Sequence, residues 1–329
     1  MIIVWLKFLI CAAIIYFAGS KLTKYGDAIA HKTGLSHAWV GIVLLAAVTS
    51  LPELANGLSA VTLAKIPDLA MGDLLGACMI NMFSLAMLDL IWGLRGRKSI
   101  FIKFQESNLI SALFGVIILL VVSVSLALSR FVFDFTIFGI SIYSFAVLGI
   151  YLLTVKVLGQ HMGAEEVKEV KYAQISSIKV YSIFLTCALI VIGAGAWLPF
   201  IGSEIVTIMG WGKTFVAVLF IAIATTLPEL TVSFSALRLG ERGMAIGNLV
   251  GSNIFNIAII FLVDIFYQPG SFISAVSFNM IYAAICGTVL MGIAYIALRK
   301  KITNHVPSII IILIYLLSMF FLFGTGVLS

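Results

Sequence analysis

Hydrophobic and polar positions alternate along this chain on a scale of whole membrane spans rather than single helical turns. Apolar runs fall at about 2–20, 36–64, 67–94, 107–129 and 132–155, and again at about 180–200, 212–239, 244–266, 273–298 and 306–327. Each is close to or longer than the roughly 20 residues that an α-helix needs to cross a bilayer. The pattern predicts an all-α polytopic membrane protein of ten transmembrane helices, five in each half. The first run resembles a signal peptide but lacks a clear small-residue cleavage site and has a counterpart at 180–200, so it is expected to be a retained span. Residues 156–179 form the one sizeable polar stretch, with Lys156, Glu165, Glu166, Lys168, Glu169, Lys171 and Lys179. The expected organisation is therefore a first unit at 1–155, a cytoplasmic linker at 156–179 and a second unit at 180–329.

Two polar sequences interrupt the apolar pattern, and each occurs twice. Thr49-Ser50-Leu51-Pro52-Glu53 returns as Thr225-Thr226-Leu227-Pro228-Glu229, and Gly72-Asp73-Leu74-Leu75-Gly76-Ala77-Cys78-Met79-Ile80-Asn81 returns as Gly247-Asn248-Leu249-Val250-Gly251-Ser252-Asn253-Ile254-Phe255-Asn256. The glutamates lie 176 residues apart and the asparagines 175, so the register holds across the whole motif. It reaches back to Gly34 and Gly210 and forward to Asp89 and Asp264. The chain reads as a duplicated unit. A glutamate at the centre of a span costs about 2.5–3.5 kcal/mol on insertion scales. The proline before it removes a backbone donor and frees a carbonyl one turn earlier, near Val48 and Ala224. The second and seventh helices should therefore be broken at the midplane, with oxygen-lined breaks.

Composition and charge narrow the reading. With 62% hydrophobic and 10% charged residues, a soluble globule is excluded. The net charge of +6 does not point to nucleic acid, because the lysines and arginines sit in short loops. Loops 1–2, 3–4, 5–6, 7–8 and 9–10 hold three, four, four, two and three of the twenty, which assigns that side to the cytoplasm and puts both termini outside. Five is an odd number, so the second unit enters from the opposite face, and the halves become inverted repeats with a site at their interface near the midplane. The four cysteines fall in four different runs without metal-ligand spacing, and the four histidines lie in or beside loops.

The donor set that the repeats share is made of oxygen. Glu53 and Glu229 supply charge, and Asn81 and Asn256 supply amides. Thr49, Ser50, Thr225, Thr226 and Ser252 supply hydroxyls, and an unwound backbone adds carbonyls such as those of Ala46 and Ala222. Such a set suits a hard cation, with calcium taking six to eight oxygens, and disfavours copper or zinc. Two carboxylates neutralise one divalent ion. Emptied, they repel each other and must take up either protons or other cations, which is a physical basis for exchange. Gly72, Gly76, Gly247 and Gly251 form small-xxx-small pairs that allow close helix approach and bring the asparagines towards the glutamates. Asp89 and Asp264 are read as interfacial residues at span ends, and Asp73 as a helix-start residue or an attractor at the outer entrance. A channel, or an intramembrane hydrolase using paired acids, would be a different class; neither explains two inverted copies in one chain.

These motifs resemble the alpha-repeats of the cation/calcium antiporter superfamily, most closely its sodium/calcium exchanger branch, over nearly the whole chain. The resemblance implies a multi-pass protein, expected in a prokaryotic plasma membrane and acting as a monomer with the bilayer as its surroundings. It implies no cofactor, with Ca2+ and a monovalent counter-ion, Na+ or H+, as transported ligands. It assigns Glu53 and Glu229 as central acids, and Thr49 and Thr225 as hydroxyl and carbonyl ligands, with Ala46 and Ala222 as carbonyl positions. Ser50, Thr226, Asn81 and Asn256 then form the surrounding ring, and Ser252 a flanking ligand. Two positions depart from the pattern. Ala77 stands where the family has Ser, and Asn256 where many members of this branch have Asp. The first motif of the proton-coupled branch is absent.

Overall fold

The computed structural model describes residues 1–33, 46–94, 96–161 and 176–327. It is almost entirely helical, with α1 at Ile2–Thr33, α2 at Ala46–Thr49, α3 at Leu51–Thr62, α4 at Pro67–Gly93, α5 at Glu106–Phe131 and α6 at Ile142–His161. The second half follows with α7 at Ser177–Met209, α8 at Lys213–Thr225, α9 at Leu227–Arg238, α10 at Arg242–Phe266, α11 at Asn279–Arg299 and α12 at Val306–Val327. Among the described residues eight helices are long and apolar enough to cross a membrane, and the pair α8 and α9, bent by 52°, makes a ninth. The opening part of the expected span at 36–64 lies outside the described residues, and α2 and α3 are its remainder.

Both broken helices interrupt where the repeated proline demands it. Pro52 and Pro228 occupy the opening turns of α3 and α9, where a missing N–H costs nothing. The one-residue breaks fall at Ser50 and Thr226. Upstream of the second break, Val216–Ile221 is a π-helical turn.

Three boundaries differ from the sequence reading. The first and sixth spans are not 2–20 and 180–200 but helices of 32 and 33 residues, about 48–50 Å long against a hydrocarbon thickness of about 30 Å. Lys21, Lys24 and Lys32 therefore lie on the far end of α1 rather than in a loop. The two long helices pack on each other, joined by Lys7 Nζ to Glu204 Oε2 at 2.8 Å. Gly210, in the left-handed conformation at φ +67°, ends α7; its counterpart Gly34 is outside the described residues. The fifth span does not begin at 132. Residues Thr136–Ile137 pair with Ile140–Ser141 in a small hairpin, and the helix starts only at Ile142. The polar stretch 156–179 is helical at its described ends, through His161 and from Ser177.

The two halves meet by reciprocal contacts. A Cβ on Gly19 would stand 2.5 Å from Pro228 Cγ, and one on Gly195 would stand 2.8 Å from the Pro52 carbonyl oxygen. Gly19 and Gly195 are 176 residues apart, as the prolines are, so each half lays the same glycine against the other half's break. Helices α4 and α10, which carry the Gly-rich motifs, run antiparallel. Ser277, in the connection that follows α10, donates its N–H to Asp68 at the start of α4 (2.7 Å). At the other end, Asn108 in the first turn of α5, the helix that follows α4, donates to the carbonyl of Gly243 at the start of α10 (2.8 Å). Equivalent helices in opposite directions are what inverted repeats require.

Asp89 and Asp264 are buried latches rather than interfacial groups. Asp89 accepts from Ile100 N (2.8 Å) and Ser308 Oγ (2.6 Å) and lies 2.8 Å from His305 Nδ1. Asp264 accepts from Phe272 N (2.7 Å), Ser141 N (2.9 Å) and Ser144 Oγ (2.5 Å). Each ties the end of a motif helix to the loop that follows it and to the opening of the last helix of the opposite half. Large apolar residues such as Leu6, Phe17, Leu185, Leu189, Leu317 and Phe320 face outward, as a surface in contact with lipid would.

Candidate functional site

The site forms where α4 and α10 cross between the two breaks. Cys78 and Asn253, equivalent positions in the two copies, touch each other: Asn253 Nδ2 donates to the Cys78 carbonyl at 3.2 Å, and Cys78 Sγ donates to the Asn253 carbonyl at 3.6 Å. Residues that meet their own repeat partners mark the pseudo-twofold axis. Asn81 Nδ2 donates to Asn253 Oδ1 (2.9 Å), which turns the Asn81 carbonyl oxygen away from that contact.

Glu53 and Glu229 lie in the first turns of α3 and α9, fully buried, where backbone N–H groups point towards negative charge. They are electrostatic neighbours across the axis. The hydroxyls of Thr49 and Ser50 face Glu229, with Ser50 Oγ 3.3 Å from Glu229 Oε1. Thr225 faces Glu53 in the reciprocal way, but its Oγ1 proton goes to Asp73 Oδ1 at 2.9 Å. Thr226 turns back on its own helix, donating to the Ala222 carbonyl at 2.7 Å. That carbonyl also accepts from Thr226 N at 3.1 Å, so Ala222 is engaged in this conformation rather than free for an ion. Ala46 opens α2, one turn before Ser50.

What distinguishes the centre is a shortage of donors. Both oxygens of Glu53, Glu229 Oε2, the carbonyl oxygens of Asn56, Asn81 and Asn256, and Ser252 Oγ are buried with no hydrogen-bond partner. Beyond these, only Asn256 Nδ2, Trp92 Nε1 and Asp134 Oδ2 are in that condition among the described residues. Each such acceptor costs about 1–3 kcal/mol if left unmet. Acceptors gathered from both copies with almost no donor among them suit a cation. Among the described residues no three His, Cys, Asp or Glu side chains stand close enough to hold a metal by themselves. Neutral oxygens must complete any coordination shell, as hard cations prefer.

Two residues of the centre escaped the sequence reading. Asp73 is fully buried, held by Asn56 Nδ2 (2.7 Å) and Thr225 Oγ1 (2.9 Å), and is an electrostatic neighbour of both glutamates. It stands neither at an entrance nor at an interface. Its place inside the repeated motif was the signal that pointed inward. Asn253 organises Asn81, but its counterpart is a cysteine, so symmetry did not expose it.

The family model described as sodium/calcium exchanger protein matches residues 3–157 and again 179–324. The chain belongs to the sodium/calcium exchanger family. It is 40% identical over 91 residues to the sodium/calcium exchanger MaX1 of Methanosarcina acetivorans, a stretch covering 27% of this chain and 25% of that one. Its fold is that of the H+/Ca2+ exchanger CAX, with a TM-score of 0.78 at 12% identity over 99% of this chain and 86% of the other. It is also that of the sodium-calcium exchanger NCX_Mj, with a TM-score of 0.63 at 20% identity over 97% of this chain and 98% of the other. The chain is thus a multi-pass membrane protein of an exchanger family.

Proposed function

We propose that this exchanger is a calcium antiporter in which Glu53 and Glu229 hold one Ca2+ on the pseudo-twofold axis. Asn81, Asn256, Ser252 and the Thr49–Ser50 and Thr225 hydroxyls supply neutral oxygens around it. The observation that carries this reading is the cluster of buried acceptors without donors around two facing glutamates. Two carboxylates balance one divalent charge in a medium where an unbalanced charge is costly. Once calcium leaves, the pair must be recharged by other cations before the protein can reopen to the far side, and this couples the two fluxes. The inverted halves provide two equivalent ways of opening around one fixed site. One chain carries both halves of the site, which supports a monomer as the working unit.

Sodium is the counter-ion we assign. Proton coupling is the second reading, and Ala77 and Asn256 favour it, because they remove a hydroxyl and a carboxylate from the sodium-binding pattern. Purified protein in calcium-loaded liposomes separates the two. Calcium efflux should follow an imposed sodium gradient at constant pH and remain slow under a pH gradient without sodium. Efflux driven by the pH gradient alone would establish the proton reading. Efflux with neither counter-ion would overturn antiport altogether.

A further inference from the structure

The centre is not symmetric in charge. Asn248, the counterpart of Asp73, is neutral, and its amide nitrogen donates to the Glu229 carbonyl (3.1 Å) and to Ser233 Oγ (2.9 Å). Asp73 keeps a carboxylate at the same place in the first repeat, wholly buried, and among the described residues only Asn56 and Thr225 donate to it. Two hydrogen bonds leave about half of a carboxylate's four lone-pair positions open. The bond from Asn56 Nδ2 fixes that amide beside Asp73, and its own carbonyl oxygen, equally buried, has no donor. Neither has either oxygen of Glu53, whose electrostatic neighbours include Asp73.

Charge counting leads to the same place. A divalent ion balances Glu53 and Glu229 and leaves Asp73 over. Among the described residues Asp73 has no ion pair with lysine, arginine or histidine. An isolated charge in such surroundings is not stable without compensation. One positive charge is missing, and the bonded pair Asp73 and Asn56 stands in the electrostatic neighbourhood of Glu53, with the Asn56 carbonyl and both Glu53 oxygens buried and without donors.

We propose that Asp73, Asn56 and Glu53 form a position for a small monovalent cation, Na+, beside the central divalent site and on the first-repeat side only. The inference rests on the reading of Glu53 and Glu229 as the central site. Asp73 then sets how many positive charges the protein must carry in each half-cycle, three rather than two.

Equilibrium binding of 22Na+ to the purified full-length protein tests this, with Ca2+ binding measured separately by calorimetry in sodium-free buffer. Asp73→Asn copies the residue found at position 248. It should bind one sodium ion fewer per protein than the parent while still binding calcium. An unchanged sodium count would overturn the proposal. Should that variant fail to fold, Asn56→Ala keeps the carboxylate and removes only the amide. Its sodium affinity should fall roughly tenfold at this position, and an unchanged affinity would equally overturn the assignment. If calcium binding by the parent instead displaces a proton that is lost in Asp73→Asn, seen as heat that varies with the buffer, the position is a proton site and the sodium assignment fails. Absence of calcium binding in the parent would count against the central site alone, since the sodium count still decides this position.

Discussion

Glu53 and Glu229 each follow a proline, and the proline decides what their carboxylates meet. It starts a new helix at the break, so the acid falls in the first turn, buried and facing the other copy. A glutamine there keeps the shape and removes the charge. The central ion would then be left with one carboxylate, and breaking a buried charge arrangement costs about 3–5 kcal/mol. Glu53→Gln and Glu229→Gln should therefore each lower calcium flux by roughly two orders of magnitude or more, with an unchanged size-exclusion profile. Near-normal 45Ca2+ flux in either variant would remove it from the central site. At this scale the sequence was legible wherever the two copies agree. The glutamates recur, as do Asn81 and Asn256, and all four are buried. It was illegible where the copies differ. Asp73 faces Asn248 in the alignment and Asn253 faces Cys78, so the comparison that exposed the other residues concealed these. Thr226 bonds its own preceding turn, as a threonine next to a break can.

The elements around the site depend on unusually close approaches. Helix α4 passes the π-turn of α8 at Gly76, where an added Cβ would lie 2.4 Å from the Val218 carbonyl oxygen, 2.6 Å from Val218 Cα and 2.7 Å from Ala222 Cβ. None of these atoms belongs to a flexible side-chain end, so the helices themselves would have to separate. Gly76→Ala should destabilise the protein by about 1–3 kcal/mol. It should also weaken calcium binding, because Ala222 and the break lie directly behind the contact. Gly193→Ala, where an added Cβ meets nothing within 4 Å among the described residues, is the control. Thermal unfolding of both in detergent checks this, and equal midpoints would mean that α4 and α8 yield more easily than their geometry suggests. The spacing of the small residues was readable, and it marks a close helix approach at Gly72 and Gly76; in the second copy an added Cβ on Gly247 would meet only the Asn108 side chain, and one on Gly251 would meet nothing within 4 Å among the described residues. The π-turn was not, since Val216–Ile221 is a plain apolar run. The over-long α1 and α7 were hidden as well: residues 21–33 are polar enough to pass for a loop, yet they continue the helix.

For the whole molecule, the loops come together in two sets without any reference to a membrane. Ser99 N donates to the Thr303 carbonyl at 3.0 Å and His305 shares Asp89 with Ile100, so the loops 96–105 and 300–305 lie at one end. Ser141 and Phe272 both donate to Asp264, so the hairpin and the 267–272 loop share another place. Because α4 and α10 run antiparallel, these two sets stand at opposite ends of the molecule. Lysines and arginines then choose which end faces the cytoplasm: Arg97, Lys98, Lys103, Arg299, Lys300 and Lys301 belong to the first set, and Arg130 stands beside the second. Single cysteines at the exposed positions Lys98 and Asn304 should react with a membrane-impermeant maleimide only in inverted vesicles. Cysteines at the exposed positions Thr136 and Gln268 should react only in intact cells. The four native cysteines are buried, so they need not be removed first. Reversal of all four results would overturn the sidedness and leave the fold intact. Labelling of positions 98 and 304 from different sides would be the graver result, because it would break the contact between loops on which the inverted arrangement of the halves depends.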